Sequence, residues 1–206
     1  MRTVCLLFFL ATSLLRADEG MWMPQQMPEL EQHLKALGLQ IPAKDLANPL
    51  SFPLNAVVSL GGCSASFVSE NGLVITNHHC AYGAIQYNSS PENNLIANGF
   101  LAGSLEEELP AGPTSRIYVT TEIKDVTQDI LNGLESLEPL ARTQAIEDRI
   151  KKLEGEIDKI EGYRGVVQSF YEGASFFLVT QMEIRDVRLV YAPSDKVGEY
   201  GGDIDN

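Results

Sequence analysis

The sequence predicts a mainly β protein with a helical insertion. Three observations predict it. Short apolar runs bounded by Gly and Asn fill residues 55–85, another strand-like run lies near residue 117, and the spacing turns helical between 126 and 161. With 206 residues, 44% apolar and 21% charged, the chain can bury one sizeable core or two small ones. Its formal charge of −13 opposes phosphate backbones and argues against a nucleic-acid partner.

The elements follow in order. Met1–Ala17 has a positive start at Arg2, an apolar run from Val4 to Leu15 and a small residue, Ala17, before Asp18-Glu19-Gly20. That is a secretory signal pattern, and the run is too short to span a bilayer. Residues 18–206 are then the exported part. Export removes Cys5 and leaves Cys63 and Cys80, and an even pair in an oxidising compartment reads as a disulfide. Leu30, Leu34, Leu37 and Leu39 fall near helical spacing, with Gly38 as a stop, and predict a short helix packing on a core. His33 is alone on that helix and is expected to be solvated.

Ala56–Leu60, Ala65–Ser69 and Gly72–Thr76 predict three strands, the last two joined through Asn71-Gly72. Arg116–Val119 predicts another. Pro139 divides an expected helix over 126–137 from a longer one, in which Ile146, Ile150, Leu153, Ile157 and Ile160 form a single stripe. A helical hairpin around 126–161 fits this better than a long coiled coil. Phe176–Val179 and Val187–Tyr191 return to strand character.

Chemistry concentrates in Gly61-Gly62-Cys63-Ser64-Ala65-Ser66-Phe67-Val68 and Gly72-Leu73-Val74-Ile75-Thr76-Asn77-His78-His79-Cys80. A general base that takes a proton from a serine hydroxyl and later returns it must be held in place. Here a hairpin ends in a histidine pair, a cysteine follows at once, and its partner precedes the hairpin. Adjacent histidines on a strand point to opposite faces, which makes a poor metal pair, and the pattern calls for no metal or cofactor.

This arrangement resembles the chymotrypsin-like peptidases, and Gly-Leu-Val-Ile-Thr-Asn-His-His resembles the Gly-x-x-x-Thr-Asn-x-His run of bacterial trypsin-like peptidases. The resemblance makes His79 the base, with His78 its neighbour. It narrows further. Asp18-Glu19-Gly20-Met21-Trp22, Ala81–Gln86, Glu92–Leu95, Gly99-Phe100, Glu108–Pro113, Glu183–Pro193 and Gly201–Asn206 together resemble the bacterial dipeptidyl-peptidase 7/11 family of serine exopeptidases. It implies a chymotrypsin-like double β-barrel, incomplete here, with a helical domain. It also implies release of dipeptides from the free N-terminus of peptides, a homodimer, and a place in the periplasm or at the surface of a Gram-negative cell. Asn206 matches the asparagine that holds the substrate's α-amino group, and an amide oxygen is a suitable acceptor for an ammonium.

The family pattern continues past Asn206 to a catalytic aspartate and a serine nucleophile. The chain therefore reads as an N-terminal part truncated at its C-terminus and, by itself, inactive. Asp203 and Asp205 are expected to shape the Gly-rich loop. Two alternatives remain: a chymotrypsin-like endopeptidase, and a non-catalytic pseudopeptidase that binds on the same barrel.

Overall fold

The structure, a computed structural model, describes residues 22–199. The expected signal segment Met1–Ala17 and the residues Asp203, Asp205 and Asn206 lie outside the described residues. The chain divides into two compact units between Pro49 and Leu50.

In the first unit, 3₁₀ turns over Pro24–Leu30 run into helix α1 (Glu31–Ala36). The helix stops where expected. The Leu37 N–H donates to the His33 carbonyl, and Gly38 takes φ +103°, a left-handed value that glycine adopts at no steric cost. The expected packing stripe forms only in part: Leu30, Leu34 and Leu39 are half-buried, no residue of α1 is fully buried, and Leu37 is 68% exposed. Six helical residues end before Leu37 can join Leu30 and Leu34 on one face.

The second unit contains the strands β1 (Val57–Ser59), β2 (Ser64–Phe67), β3 (Val74–Thr76), β4 (Phe100–Leu101), β5 (Leu109–Pro110), β6 (Ile117–Asp125), β7 (Tyr163–Phe170), β8 (Ser175–Ile184), β9 (Arg188–Leu189) and β10 (Tyr191–Ala192). Its helices are α2 (His78–Tyr87), α3 (Leu95–Asn98), α4 (Thr127–Leu131), α5 (Pro139–Asp158) and α6 (Asp195–Gly198). Six strands make one antiparallel sheet in the order β3-β2-β1-β6-β8-β7. Two small pairs, β4 with β10 and β5 with β9, stand apart from it.

The turns explain the first hairpins. Gly61-Gly62 is a two-residue loop closed by the Leu60 N–H on the Cys63 carbonyl at 2.8 Å, with Gly61 at φ +95°. Between β2 and β3 the loop is longer than the Asn-Gly pair suggests. Val68 N–H donates to the Leu73 carbonyl, so Ser69–Gly72 form a four-residue turn, and only Gly72 in it has positive φ. The inner faces of these strands, with the start of β6, bury Val58, Ala65 and Ile117 against Phe67, Val74 and Val119.

The helical insertion caps the other half of the sheet. Val126 and Ile130 pack with Phe176 and Leu178 of β8, and Ile146, Ile150, Leu153 and Ile157 of α5 close over them. Pro139 is the first residue of α5, where its missing N–H costs nothing. Two expectations are corrected. The earlier helix ends at Leu131 rather than 137, because the backbone leaves helical angles at Asn132 and Gly133 takes φ +75°. Ile160 does not join the stripe: it lies past the end of α5 and is 52% exposed.

Strand β7 was not expected from the sequence. It is the sheet's outer edge, and α5 covers it. Asp158 accepts from the Gly165 N–H at 3.0 Å and Glu154 from the Val167 N–H at 2.8 Å. These carboxylates, one turn apart on the helix, satisfy edge donors that would otherwise invite another strand. Helix and strand touch through Gly165, where a Cβ would lie 3.0 Å from the Ile157 Cβ and 3.1 Å from the Glu154 Cα. Gly165→Val is expected to lower stability by about 1–3 kcal/mol through overpacking. An unchanged urea unfolding midpoint would show that the helix can retreat without cost.

No helix among the described residues is long and apolar enough to cross a membrane.

Candidate active site on the bridged helix

The site begins where β3 ends. Asn77 is extended at φ −70°, ψ 150° and forms the N-cap of α2, so His78, His79 and Cys80 are the first three helical residues. This corrects the expectation of a histidine pair on a strand. Successive helical residues are about 100° apart, not opposite, and the two rings enter different surroundings. His79 is exposed, whereas His78 is half-buried with its Nε2 fully enclosed.

Both ends of α2 are anchored. At its first turn the Cys80 sulfur is bonded to Cys63, just before β2, with 6.1 Å between the Cα atoms. Further along, Ile85 is completely buried among Leu95, Leu189 and Ala192. At its end the Asn88 amide donates to the carbonyls of Ala84 and Pro110. The expected strand over Val187–Tyr191 is in fact two short strands, β9 and β10, with different partners, and both supply residues to this core. His79 therefore projects from a helix fixed to the sheet on one side and to a separate core on the other.

The arrangement can position a proton acceptor. The His79 ring lies beside the bridge: its nearest nitrogen and the sulfurs of Cys63 and Cys80 fall within 4.8 Å of one another. Those three residues do not amount to a metal centre while the bridge is intact, because a disulfide has no thiolate to offer. Ser64 and Ser66 serve the strand: the Ser64 carbonyl accepts from the Thr76 hydroxyl, and the Ser66 hydroxyl donates to the Phe67 carbonyl. Neither points to a nucleophile's role.

The sequence reading missed the packing of His78. Its ring lies against Gly198 of α6 and meets Tyr82 edge-on with 6.0 Å between ring centroids. Nothing local signals this contact, since Gly198 reads as the opening of a Gly-rich loop.

Comparison with known proteins places these observations. A family model described as Peptidase S46 matches residues 17–206. The chain is similar to the Asp/Glu-specific dipeptidyl-peptidase of Shewanella putrefaciens, at 50% identity over 96% of this chain and 27% of that protein. It is also similar to dipeptidyl-peptidase 7 of Phocaeicola vulgatus, at 39% identity over 93% of this chain and 28% of the relative. Among solved structures, Porphyromonas endodontalis DPP11 in complex with the dipeptide Arg-Glu matches with a TM-score of 0.78 and 36% identity. That match covers 92% of this chain and 28% of the solved one. The chain thus spans less than a third of the length of these relatives. The mainly β, chymotrypsin-like architecture expected from the motif is shared with the solved structure.

Proposed function

Because the chain belongs to the peptidase S46 family, whose model covers residues 17–206, we propose that it is the histidine-bearing part of an exported serine-type dipeptidyl-peptidase. The observation that carries the reading is the exposed His79 on the first turn of a helix tethered by the Cys63–Cys80 bridge. A base must reach a serine hydroxyl from a fixed direction, and this helix gives the imidazole both access and support.

In this reading His79 takes the proton of a serine hydroxyl as that oxygen attacks the scissile carbonyl. It then returns the proton to the leaving amine. The serine and the acid that orients His79 are supplied by the remainder of the protein. Asn206 accepts a hydrogen bond from the substrate's α-ammonium, and that grip limits cleavage to the second peptide bond. Export is supported by the apolar run Val4–Leu15. The homodimer and the periplasmic or cell-surface location rest on the family resemblance alone.

The test is hydrolysis of dipeptidyl chromogenic substrates by the full-length protein, with the N-terminus free or acylated. Substrates with an acidic or an apolar second residue are compared, since the similar proteins include one named Asp/Glu-specific and one named dipeptidyl-peptidase 7. Cleavage confined to the free N-terminus is expected. Cleavage of the acylated substrates would favour the endopeptidase alternative, and inertness on all of them a pseudopeptidase.

A further inference from the structure

Gly198 is a helical glycine that needs no unusual backbone angle. Its φ is absent from the positive set that includes Gly61, Gly72 and Gly99. What it supplies is space. A Cβ there would lie 2.5 Å from the His78 ring Cγ and 2.6 Å from Nε2, closer than side chains approach one another. The imidazole therefore rests directly on the backbone of α6. Its Nε2 is buried and has no hydrogen-bond partner among the described residues. The contact is one of shape: a flat ring, steadied on its edge by Tyr82, is pressed against a residue without a side chain.

The location gives the contact a consequence. His78 precedes His79 in the first turn of α2, so a shift of that turn's backbone displaces both residues. Gly198 is the last residue of α6. We propose that His78, through its contact with Gly198, is a positioning residue that holds the first turn of α2, and with it the base His79, against α6. The proposal rests on the peptidase reading above. His78 itself transfers no proton in it.

The test is a size-exchange cycle in the full-length protein: Gly198→Ala, His78→Ala and the double variant, with Gly155→Ala as control. Gly155 also lies in a helix, but a Cβ there meets nothing within 4 Å. Gly198→Ala is expected to lower kcat on an unblocked dipeptidyl substrate at least tenfold with KM within about twofold, since the damage falls on the reacting geometry. Adding His78→Ala removes the clash, so the double variant should recover to the level of His78→Ala alone. Gly155→Ala should keep full activity. The thermal midpoint of each variant is recorded, so that loss of folding is not mistaken for loss of positioning.

Additive effects of the two substitutions on kcat would overturn the proposal. So would a Gly198→Ala variant as active as the parent, or a loss of kcat that only tracks a fallen midpoint. A wild-type protein inert on blocked and unblocked substrates alike overturns the peptidase reading, and the positioning role with it. An active wild type with an uncoupled cycle overturns the positioning role alone.

Discussion

His79→Ala in the full-length protein lowers kcat/KM on an unblocked dipeptidyl substrate by roughly 10⁴–10⁶-fold, the size of loss seen when a base that acts as a unit with its nucleophile is removed. The structure explains why the neighbouring histidine does not compensate. The His78 Nε2 is enclosed, and its ring is held between Tyr82 and the backbone of Gly198. To replace His79 it would have to leave that packing and swing about a third of a turn around α2. Folding, by contrast, is spared. His79 is exposed and makes no hydrogen bond among the described residues, so its removal should change stability by no more than about 0.5 kcal/mol. The measurement pairs steady-state kinetics with an unfolding curve. Residual activity within tenfold of the parent would mean that another group is the base.

Loss of the Cys63–Cys80 bridge has the second largest expected effect, and it acts on stability and activity together. The sulfurs close a loop between residues 17 apart in sequence, and a loop of that length corresponds to about 3 kcal/mol of unfolded-state entropy. Cys63→Ser with Cys80→Ser is therefore expected to lower unfolding free energy by about that amount, read as a fall in the urea midpoint. The bridge also holds the first turn of α2 to the residue just before β2. Without it the helix keeps its Ile85 and Asn88 anchors at the far end and only the packing of His78 on Gly198 at the near end, where His79 lies. Activity should fall further than the folded fraction does. The same two changes are expected when the wild-type protein is treated with a dithiol. A midpoint that does not move would show that packing alone fixes α2.

Several parts of this molecule are legible from short stretches of chain. Gly61 and Gly72 mark turns because few residues other than glycine accept the backbone angles found there. The stripe Ile146, Ile150, Leu153 and Ile157 marks the buried side of α5 because its spacing is the helix's own. The Cys63–Cys80 bridge was expected from the even cysteine pair that remains once the signal-like segment is set aside. His79 is singled out by the resemblance of Gly72–His79 to the base-bearing run of bacterial trypsin-like peptidases, together with the half-cystine that follows it.

Other parts depend on residues far away along the chain. Strand β7 contains Gly165, Gln168 and Ser169, which weaken any local strand signal. It exists because β8 offers a full ladder from Tyr163 to Phe170 and α5 supplies carboxylates for its outer edge. The histidines open a helix rather than end a strand because Ile85, seven positions beyond His78, finds a core assembled from α3, β9 and β10. That core also separates the paired histidines, leaving His79 open and pressing His78 onto Gly198. Turn geometry and helical spacing are properties of a few neighbouring residues and can be read from their order. Edge pairing, helix anchoring and the unequal burial of two identical side chains arise from contacts between distant segments, which form only when the chain has folded.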